Sequence, residues 1–371
     1  MMVWVKEIPD KFTVGTIRIW IKDEIDVCPY LDETTSFNDY VVLSEEDSDV
    51  HINGDARVLI YEDFSEKITQ SIIHEINYNY DYYYLRNAIR ECKKSNIDTL
   101  ITGSSYGLYG IKRGIIPSAV NLSMPSKDLY YVIKEIEEVM RDNPGIRNIV
   151  LCCSYYYFFS DLSKTQDPGE FSRVSKVYYP IFGDPHNAVF IQPKMNFLIE
   201  SCIIDTQKIM DLYSYSEYEK AYFYEERPRE STACKEWSDK SKTWQQLEEE
   251  ERISTGLIRV KKHNKSLKHS GTYSENKILM ELLSQYCQER NLNLIMLVTP
   301  ISRYYRDYSL HEFKNSFYNL LEGISGAVHV LDLYEDERFN LYDYNDMDHL
   351  GASGAEKMTK ILKAALEEID G

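Results

Sequence analysis

The sequence predicts an α/β protein whose core is a parallel β-sheet with helices on both faces. Short runs rich in Ile, Val and Leu recur from residue 97 onward, and segments with the apolar spacing of amphipathic helices lie between them. The runs occupy residues 97–102, 118–124, 147–154, 292–299 and 328–333. Apolar runs that alternate with helices are typical of strands buried on both faces of a parallel sheet.

Four segments around these runs show helical periodicity. They occupy residues 86–96, 129–143, 275–291 and 356–369. The last one is apolar at Met358, Ile361, Leu362 and Leu366, which is the spacing of a helix with one buried face. Strands and helices therefore alternate along the chain, and we expect three layers with the sheet in the middle.

Two regions fall outside this alternation. Residues 1–85 contain short β-like runs between charged turns, and we interpret them as a β-rich N-terminal extension preceding an α/β domain of residues 86–371. Residues 160–270 form a long insertion between the third and fourth predicted strands. An insertion at the carboxyl edge of a sheet can serve as a lid or substrate platform, or as a packing or oligomer surface. The sequence does not decide between these roles.

The charge balance excludes some classes of partner. The chain has 42 Lys and Arg residues against 60 Asp and Glu residues, a net charge of −18. Such a surface repels phosphate backbones and anionic lipids, so we expect neither nucleic acid nor a membrane as partner. No apolar run approaches the ~20 residues that span a bilayer, and residues 1–12 lack a secretory signal pattern. We therefore expect a cytoplasmic protein whose seven scattered cysteines are reduced.

Tyrosine is unusually abundant, with 31 residues, several of them in clusters at residues 78–85 and 154–159. A tyrosine ring stacks on sugars while its hydroxyl stays hydrated, so a carbohydrate site is one interpretation. The other is compositional bias, because Asn, Ile and Lys are also plentiful.

The first candidate for chemistry is the segment ITGSSYGLYGI (101–111), directly after a predicted strand. Ligands bind at the carboxyl ends of strands in open parallel sheets. A small turn there can present a serine hydroxyl at the start of the next helix, whose backbone N–H groups can stabilise an oxyanion. Taken alone the pattern is weak, because serine is also a favoured helix N-cap.

The second candidate is YNDMDHLGASGAEKM (344–358), after the last predicted strand. His349 can act as a general base, and Asp346, three residues earlier, can orient its imidazole. Asp348 is the rival for the orienting role. Alternatively, these carboxylates serve the following helix or bind a cation, although the pattern does not match an EF-hand.

Together the two segments resemble the end motifs of SGNH (GDSL-like) hydrolases, which have a GxS after the first core strand and a DxxH before the last helix. The order Ser105, Asp346, His349 matches that family's catalytic order. The resemblance covers residues 86–371 with the insertion excepted. It implies a flavodoxin-like three-layer α/β/α sandwich with a five-stranded parallel sheet.

Two intermediate segments also resemble the family. VNLSMPSKDLYY (120–131) is similar to its second block, and LVTPISRYY (297–305) resembles members found near bacterial surface-polysaccharide genes. The first block usually reads Gly-Asp-Ser, whereas here it reads Gly103-Ser104-Ser105, with a one-residue ambiguity about the nucleophile.

The oxyanion hole is the part that departs most from the family. The second block normally supplies a glycine N–H, and Ser123 stands nearest that place, so the resemblance assigns the N–H groups of Ser105 and Ser123 to the oxyanion. The third block normally supplies an asparagine. Residues 152–163 contain none, which leaves Ser154 or Tyr155 as substitutes.

The resemblance implies a serine esterase that hydrolyses or transfers an O-acyl group, especially acetyl, on a carbohydrate through an acyl-enzyme. Its partner is then a small-molecule or glycan ester, with Tyr106, Asn121 and Tyr155 as candidate substrate contacts, and no metal or organic cofactor is expected. Arg259 and His263 could bind an acidic substrate group, although a solvated basic helix face is the preferred interpretation. The alternative function is a catalytically silent module that binds a glycan or a polysaccharide-assembly partner.

Overall fold

The computed structural model describes residues 80–188 and 242–370, together with five short strands nearer the N-terminus. The chain divides into two compact units. The first comprises Met1–Tyr84 with Phe190–Arg227, and the second comprises Leu85–Val189 with Pro228–Gly371.

The first unit contains a five-stranded sheet of order β1-β2-β3-β4-β5. Its strands are β1 (Met2–Val3), β2 (Phe12–Val14), β3 (Ile17–Ile21), β4 (Asp39–Leu43) and β5 (Arg57–Ile60). Strand β2 pairs antiparallel with β1 and β3, whereas β4 pairs parallel with β3 and β5. The sheet agrees with the β-rich character that the sequence predicts for this region.

The second unit contains the predicted parallel sheet. Its strands are β6 (Thr99–Gly103), β7 (Ala119–Asn121), β8 (Asn148–Cys153), β9 (Asn293–Val298) and β10 (His329–Asp332). All neighbouring strands pair in parallel, in the order β10-β9-β8-β6-β7. Counted along the unit this is the order 2-1-3-4-5 of a flavodoxin-like sheet. The α/β fold class is therefore confirmed, and each predicted apolar run contributes one strand.

The described helices flank this sheet and occur in its crossovers. They are α1 (Tyr80–Cys92), α2 (Ser105–Gly110), α3 (Leu129–Asp142), α4 (Pro168–Arg173), α5 (Tyr179–Phe182), α6 (Glu249–Asn264), α7 (Ser270–Glu289), α8 (Arg303–Arg306), α9 (His311–Glu322) and α10 (Ala352–Asp370). Short 3₁₀ turns occupy Tyr157–Phe159, Leu162–Lys164, Trp244–Gln246, Lys265–Lys268 and Leu341–Asp343, and a π-helical turn spans Val174–Tyr178. Strand β8 ends at Cys153 and β9 begins at Asn293, which confirms a long insertion between the third and fourth strands of the sheet.

The centre of the sheet is the most deeply buried part of the second unit. Every residue of β6 and β8 is buried, whereas β10 at the edge exposes His329 and Val330. No helix in the described segments is long and apolar enough to cross a bilayer.

The carboxyl ends of β6 and β8 lie side by side, because Gly103 is in register with Cys152. Gly103 has φ +128°, and a Cβ at this position would overlap with the carbonyl oxygen of Cys152. Only glycine fits this conformation without strain. The turn that follows leads the chain from the buried strand directly into Ser104 and Ser105.

Candidate active site

Ser105 is the first residue of α2, and Ser104 is its N-cap. The Ser104 hydroxyl accepts a long hydrogen bond from the backbone N–H of Tyr106 at 3.5 Å. The Ser105 Oγ instead lies 2.9 Å from Nε2 of His349. The two neighbouring serines are thus separated by function, since one caps the helix and the other contacts the imidazole.

Asp346 contacts His349 from the opposite side of the imidazole ring. Its Oδ2 lies 2.8 Å from His349 Nδ1, within hydrogen-bond distance. Its Oδ1 accepts the backbone N–H groups of Asp348 at 2.9 Å and His349 at 2.7 Å. The three-residue spacing closes this turn, so the same carboxylate orders the backbone and orients the ring. Ser105, His349 and Asp346 form a continuous hydrogen-bonded chain.

Asp348 is held elsewhere. Its Oδ2 accepts hydrogen bonds from Arg259 Nε and from the Tyr106 hydroxyl, both at 3.0 Å. Its Oδ1 has no hydrogen-bond partner among the described residues and lies 3.5 Å from His349 Nδ1. By distance, Asp346 is the carboxylate that orients the histidine, and Asp348 contributes a nearby buried charge.

The surroundings of His349 set its protonation. Burial alone would lower the pKa of His349, but the charges of Asp346 and Asp348 outweigh burial and place it above the usual value. The rings of Tyr106 and Tyr109 pack against the imidazole, with centroids 5.5 Å and 4.8 Å away. The imidazole is therefore held by two aromatic contacts, and its pKa is higher than that of a free histidine.

His263 is the second histidine near this site. Burial and the neighbouring Arg259 hold its pKa well below the usual range. Its Nδ1 lies 2.6 Å from the Tyr305 hydroxyl, and its ring lies 4.3 Å from that of Tyr156. His263 is neutral at physiological pH and serves as a polar contact rather than as a cation.

Ser123, the second predicted oxyanion donor, contacts Asn121. Its backbone N–H donates to Oδ1 of Asn121 at 3.0 Å, so this donor is occupied within the protein. The Asn121 amide in turn donates to the Gly107 carbonyl at 2.9 Å. Asn121 therefore braces the turn after β7 against α2, and neither it nor Ser123 is among the residues that line the cavity described below.

The two residues considered as substitutes for the family's asparagine point to different places. Ser154, which follows β8, is only 2% exposed and lines the cavity. Its hydroxyl has no hydrogen-bond partner in the part of the chain that the structure describes. Tyr155 points away: its hydroxyl donates to Asp332 at 2.6 Å, and its ring packs 4.3 Å from that of Tyr334. The Tyr155 side chain, predicted as a substrate contact, is thus used in packing and does not line the cavity.

Ser105 lines a cavity of about 500 Å³. Tyr106, Tyr156, Tyr157 and Phe159 line it with aromatic surface. Both described parts of the insertion contribute further walls, including Asp161, Leu162, Lys164, Thr165, Glu170, Arg259, Lys262, His263, Ser266, Lys268, His269 and Ser270. The sequence favours a solvated helix face for Arg259 and His263. In the structure, both side chains instead line the cavity.

Lys127 is a cavity residue that sequence reasoning missed. Its side chain is fully buried, pairs with Glu135 and donates to the carbonyl of Leu122. A lysine between a proline-containing turn and the start of a helix usually lies in a solvated loop. The sequence therefore does not predict that Lys127 is buried beside the cavity.

Two groups of side chains in the described segments have the chemistry to hold a metal ion. Asp346, Asp348 and His349 form one, and Asp128, Asp161 and His186 form the other. In the second group Asp128 accepts the backbone N–H groups of Tyr131 and Leu162, which is the bonding of a structural cap. In the first group His349 Nε2 contacts the Ser105 hydroxyl, and Asp348 Oδ2 accepts hydrogen bonds from Arg259 and Tyr106.

No family model matches the chain, and no curated protein matches it. Among solved structures that align with it is "The structure of a putative platelet activating factor from Streptococcus pneumonia". That alignment has 9% sequence identity and a TM-score of 0.34, and covers 81% of this chain and 100% of the other. A TM-score at this level supports no functional conclusion, so the proposals below depend on the geometry of the site.

Proposed function

We propose that the protein is a serine hydrolase of SGNH type that cleaves or transfers an O-acyl group through an acyl-enzyme. One observation carries the proposal: Ser105 Oγ, His349 Nε2 and Asp346 Oδ2 form a hydrogen-bonded chain at the mouth of a cavity. A hydroxyl, an imidazole and a buried carboxylate in this order make up a nucleophile, its general base and the group that orients the base.

The mechanism follows from these contacts. Ser105 Oγ attacks the ester carbonyl while His349 Nε2 takes its proton, and Asp346 stabilises the resulting imidazolium through Nδ1. The tetrahedral intermediate collapses, His349 protonates the leaving alcohol, and the acyl group remains on Ser105. A water molecule, or a sugar hydroxyl in a transferase, then gives its proton to His349 and attacks the acyl-enzyme, which releases the acyl group and restores Ser105.

The oxyanion needs hydrogen-bond donors near Ser105. The Ser105 N–H lies in the first turn of α2, where helix N–H groups have no intrahelical partner. Ser154 lines the same cavity, and its hydroxyl has no hydrogen-bond partner among the described residues. We assign these two groups to the oxyanion and replace Ser123, whose N–H is engaged by Asn121.

A carbohydrate ester is the proposed substrate class. Tyr156, Tyr157 and Phe159 give the cavity the aromatic surface on which sugar rings stack. Its volume of about 500 Å³ is in the range of small-molecule sites. O-Acetyl esters fit this chemistry, since the site activates a serine for attack on a carbonyl.

Active-site labelling with a fluorophosphonate probe tests the proposal without knowledge of the substrate. We expect covalent label on Ser105 by peptide mapping, and its loss in Ser105→Ala and His349→Ala. Ser104→Ala is the matched control, since it removes the neighbouring hydroxyl but leaves the chain from Ser105 to Asp346. An intact fold with label on another serine, or with equal labelling of His349→Ala, contradicts the proposal.

The catalytically silent module is the second candidate, and the engaged Ser123 N–H favours it. Removal of one oxyanion donor lowers kcat by about 10²–10³. In this case the folded protein takes no label, and Ser105→Ala binds glycans as well as the unmodified protein does. Isothermal calorimetry with acetylated and deacetylated sugars separates the two candidates.

A further inference from the structure

Basic side chains are concentrated on one wall of the cavity, although the chain as a whole is acidic. Among the described residues, five Lys and Arg side chains line the cavity against two carboxylates, whereas the whole chain has a net charge of −18. Three of the five (Arg259, Lys262 and Lys268) come from the segment that runs from α6 to the start of α7. The side chains that line the cavity therefore include more cations than carboxylates, unlike the chain as a whole.

Most of these cations are already paired. Arg259 donates to Asp348, Lys164 pairs with Asp161 and Glu275, and Lys262 lies 3.4 Å from both Asp167 and Glu170. Lys127 is buried against Glu135. Lys268 is different: it has no ion pair or hydrogen bond of its side chain within the described segments. Its charge is available to a ligand.

The start of α7 lies beside this lysine. The first three residues of this 20-residue helix, Ser270, Gly271 and Thr272, all line the cavity. First-turn N–H groups have no intrahelical partner, and the helix dipole favours negative charge there. Arg or Lys side chains next to such N–H groups make a common setting for oxyanions.

Thr272 supplies an independent observation. Its side chain is only 8% exposed and lines the cavity, yet its hydroxyl has no hydrogen-bond partner in the described part of the chain. Because no group of the described protein satisfies this hydroxyl, only water or a ligand in the cavity can do so. The hydroxyl therefore marks a position where a polar ligand group would be bound.

We propose that Lys268, the Thr272 hydroxyl and the first-turn N–H groups of α7 bind an anionic oxygen group of the ester substrate. The substrate class is then an acylated acidic sugar, whose carboxylate or phosphate is held at this wall while its ester reaches Ser105. The inference rests on the proposed hydrolase function, since Ser105 is taken as the nucleophile in the same cavity.

Matched substrates test the proposal. O-Acetylated glucuronic acid and O-acetylated glucose differ in one carboxylate, and O-acetylated glucose 6-phosphate distinguishes phosphate from carboxylate. We expect kcat/KM for at least one anionic ester to exceed that for the neutral ester by about tenfold or more, because hydrogen bonds to a charged group are stronger than neutral ones. We expect Lys268→Glu to abolish this preference by raising KM for the anionic esters.

Lys265→Glu is the control, because Lys265 lies in the same 3₁₀ turn and is exposed but does not line the cavity. The anion site is overturned if the neutral ester is cleaved as well as both anionic esters, or if Lys265→Glu has the same effect as Lys268→Glu. If no ester is cleaved, the proposed hydrolase fails. The anion site is then judged by calorimetry with glucuronate, glucose and glucose 6-phosphate, and equal binding of all three or equal binding to both variants overturns it.

Discussion

Two carboxylates two residues apart differ in what they contact, and this decides their roles. Asp346 is fully buried and lies 2.8 Å from the imidazole Nδ1. It also accepts hydrogen bonds from the backbone N–H groups of Asp348 and His349. Asp348 is 1% exposed but accepts its hydrogen bonds from Arg259 and Tyr106. Sequence spacing could not separate them, because both lie close enough along the chain to reach His349.

Asparagine substitutions should therefore have unequal effects. Asp346→Asn presents an amide to Nδ1, which disfavours the tautomer with a free Nε2, and we expect kcat for ester hydrolysis to fall by about 10⁴. Asp348→Asn leaves that hydrogen bond in place, and we expect a loss below about tenfold. Steady-state kinetics on an aryl acetate measures both. Equal losses would mean that the two carboxylates share the orienting role.

The pH dependence of kcat/KM distinguishes the effect of Arg259 on the pKa of His349 from that of Asp348. His349 accepts a proton only when neutral, so kcat/KM rises with pH through the pKa of His349 in the free enzyme. Asp348 raises that pKa and Arg259 lowers it. Arg259→Gln should move the acidic limb of the profile to higher pH, and Asp348→Asn should move it to lower pH. A shift in the same direction for both variants would contradict the assigned charges.

Among the secondary-structure elements, the strands of the parallel sheet could be predicted from the sequence. The ends of the helices were predicted less accurately. All five apolar runs form strands, because strands buried on both faces must be apolar throughout. Helix α1 begins at Tyr80 rather than at residue 86, inside a tyrosine cluster without helical apolar spacing. Ser353 and Glu356 have the spacing of a capping box, but Ser353 lies inside α10 and its hydroxyl donates to Asp343.

The contact between α6 and α8 predicts a further effect on the site. A Cβ on Gly256 would overlap with the backbone carbonyl of Tyr304 in α8. In a helix interior the intrinsic propensity of alanine is about 1 kcal/mol more favourable than that of glycine. Only the overlap with Tyr304 therefore makes Gly256→Ala unfavourable. We expect Gly256→Ala to displace α6, weaken the contact of Arg259 with Asp348 and lower both the melting temperature and kcat/KM.

Ser254→Ala is the control for this effect, because Ser254 is exposed on the same helix. We expect unchanged or slightly raised thermal stability there. A melting temperature for Gly256→Ala equal to that of Ser254→Ala would show that α6 and α8 accommodate the added methyl group.

At the scale of the molecule, the sheet order accounts for the site. Ser105 and His349 are 244 residues apart in the chain, yet Ser105 follows β6 and His349 follows β10 on the same side of the sheet. The alternation of strands and helices predicts this, because carboxyl ends of parallel strands share one edge. The side-chain contacts of Asn121 with Gly107 and of Tyr155 with Asp332 could not be predicted, since they depend on partners from other elements.

The buried ion pair of Lys127 and Glu135 gives the last prediction, and it concerns the stability of the whole unit. Both side chains are almost fully buried, and Glu135 also accepts a hydrogen bond from Thr102 in β6 at 2.7 Å. Burial raises the pKa of Glu135, and Lys127 partly offsets this. The pair thus ties the turn after β7 to α3 and β6, close to the cavity.

Removal of one partner leaves an uncompensated buried charge, so we expect Lys127→Met to lower the free energy of unfolding by about 3–5 kcal/mol. The double variant Lys127→Met with Glu135→Leu should lose much less, because packed apolar side chains can replace a buried pair. Urea denaturation followed by circular dichroism measures these changes. Lys93→Met, in the half-exposed pair with Asp142, serves as the control and should change stability little. If Lys127→Met is no more destabilising than Lys93→Met, the ion pair does not stabilise the fold, and packing holds the turn beside the cavity.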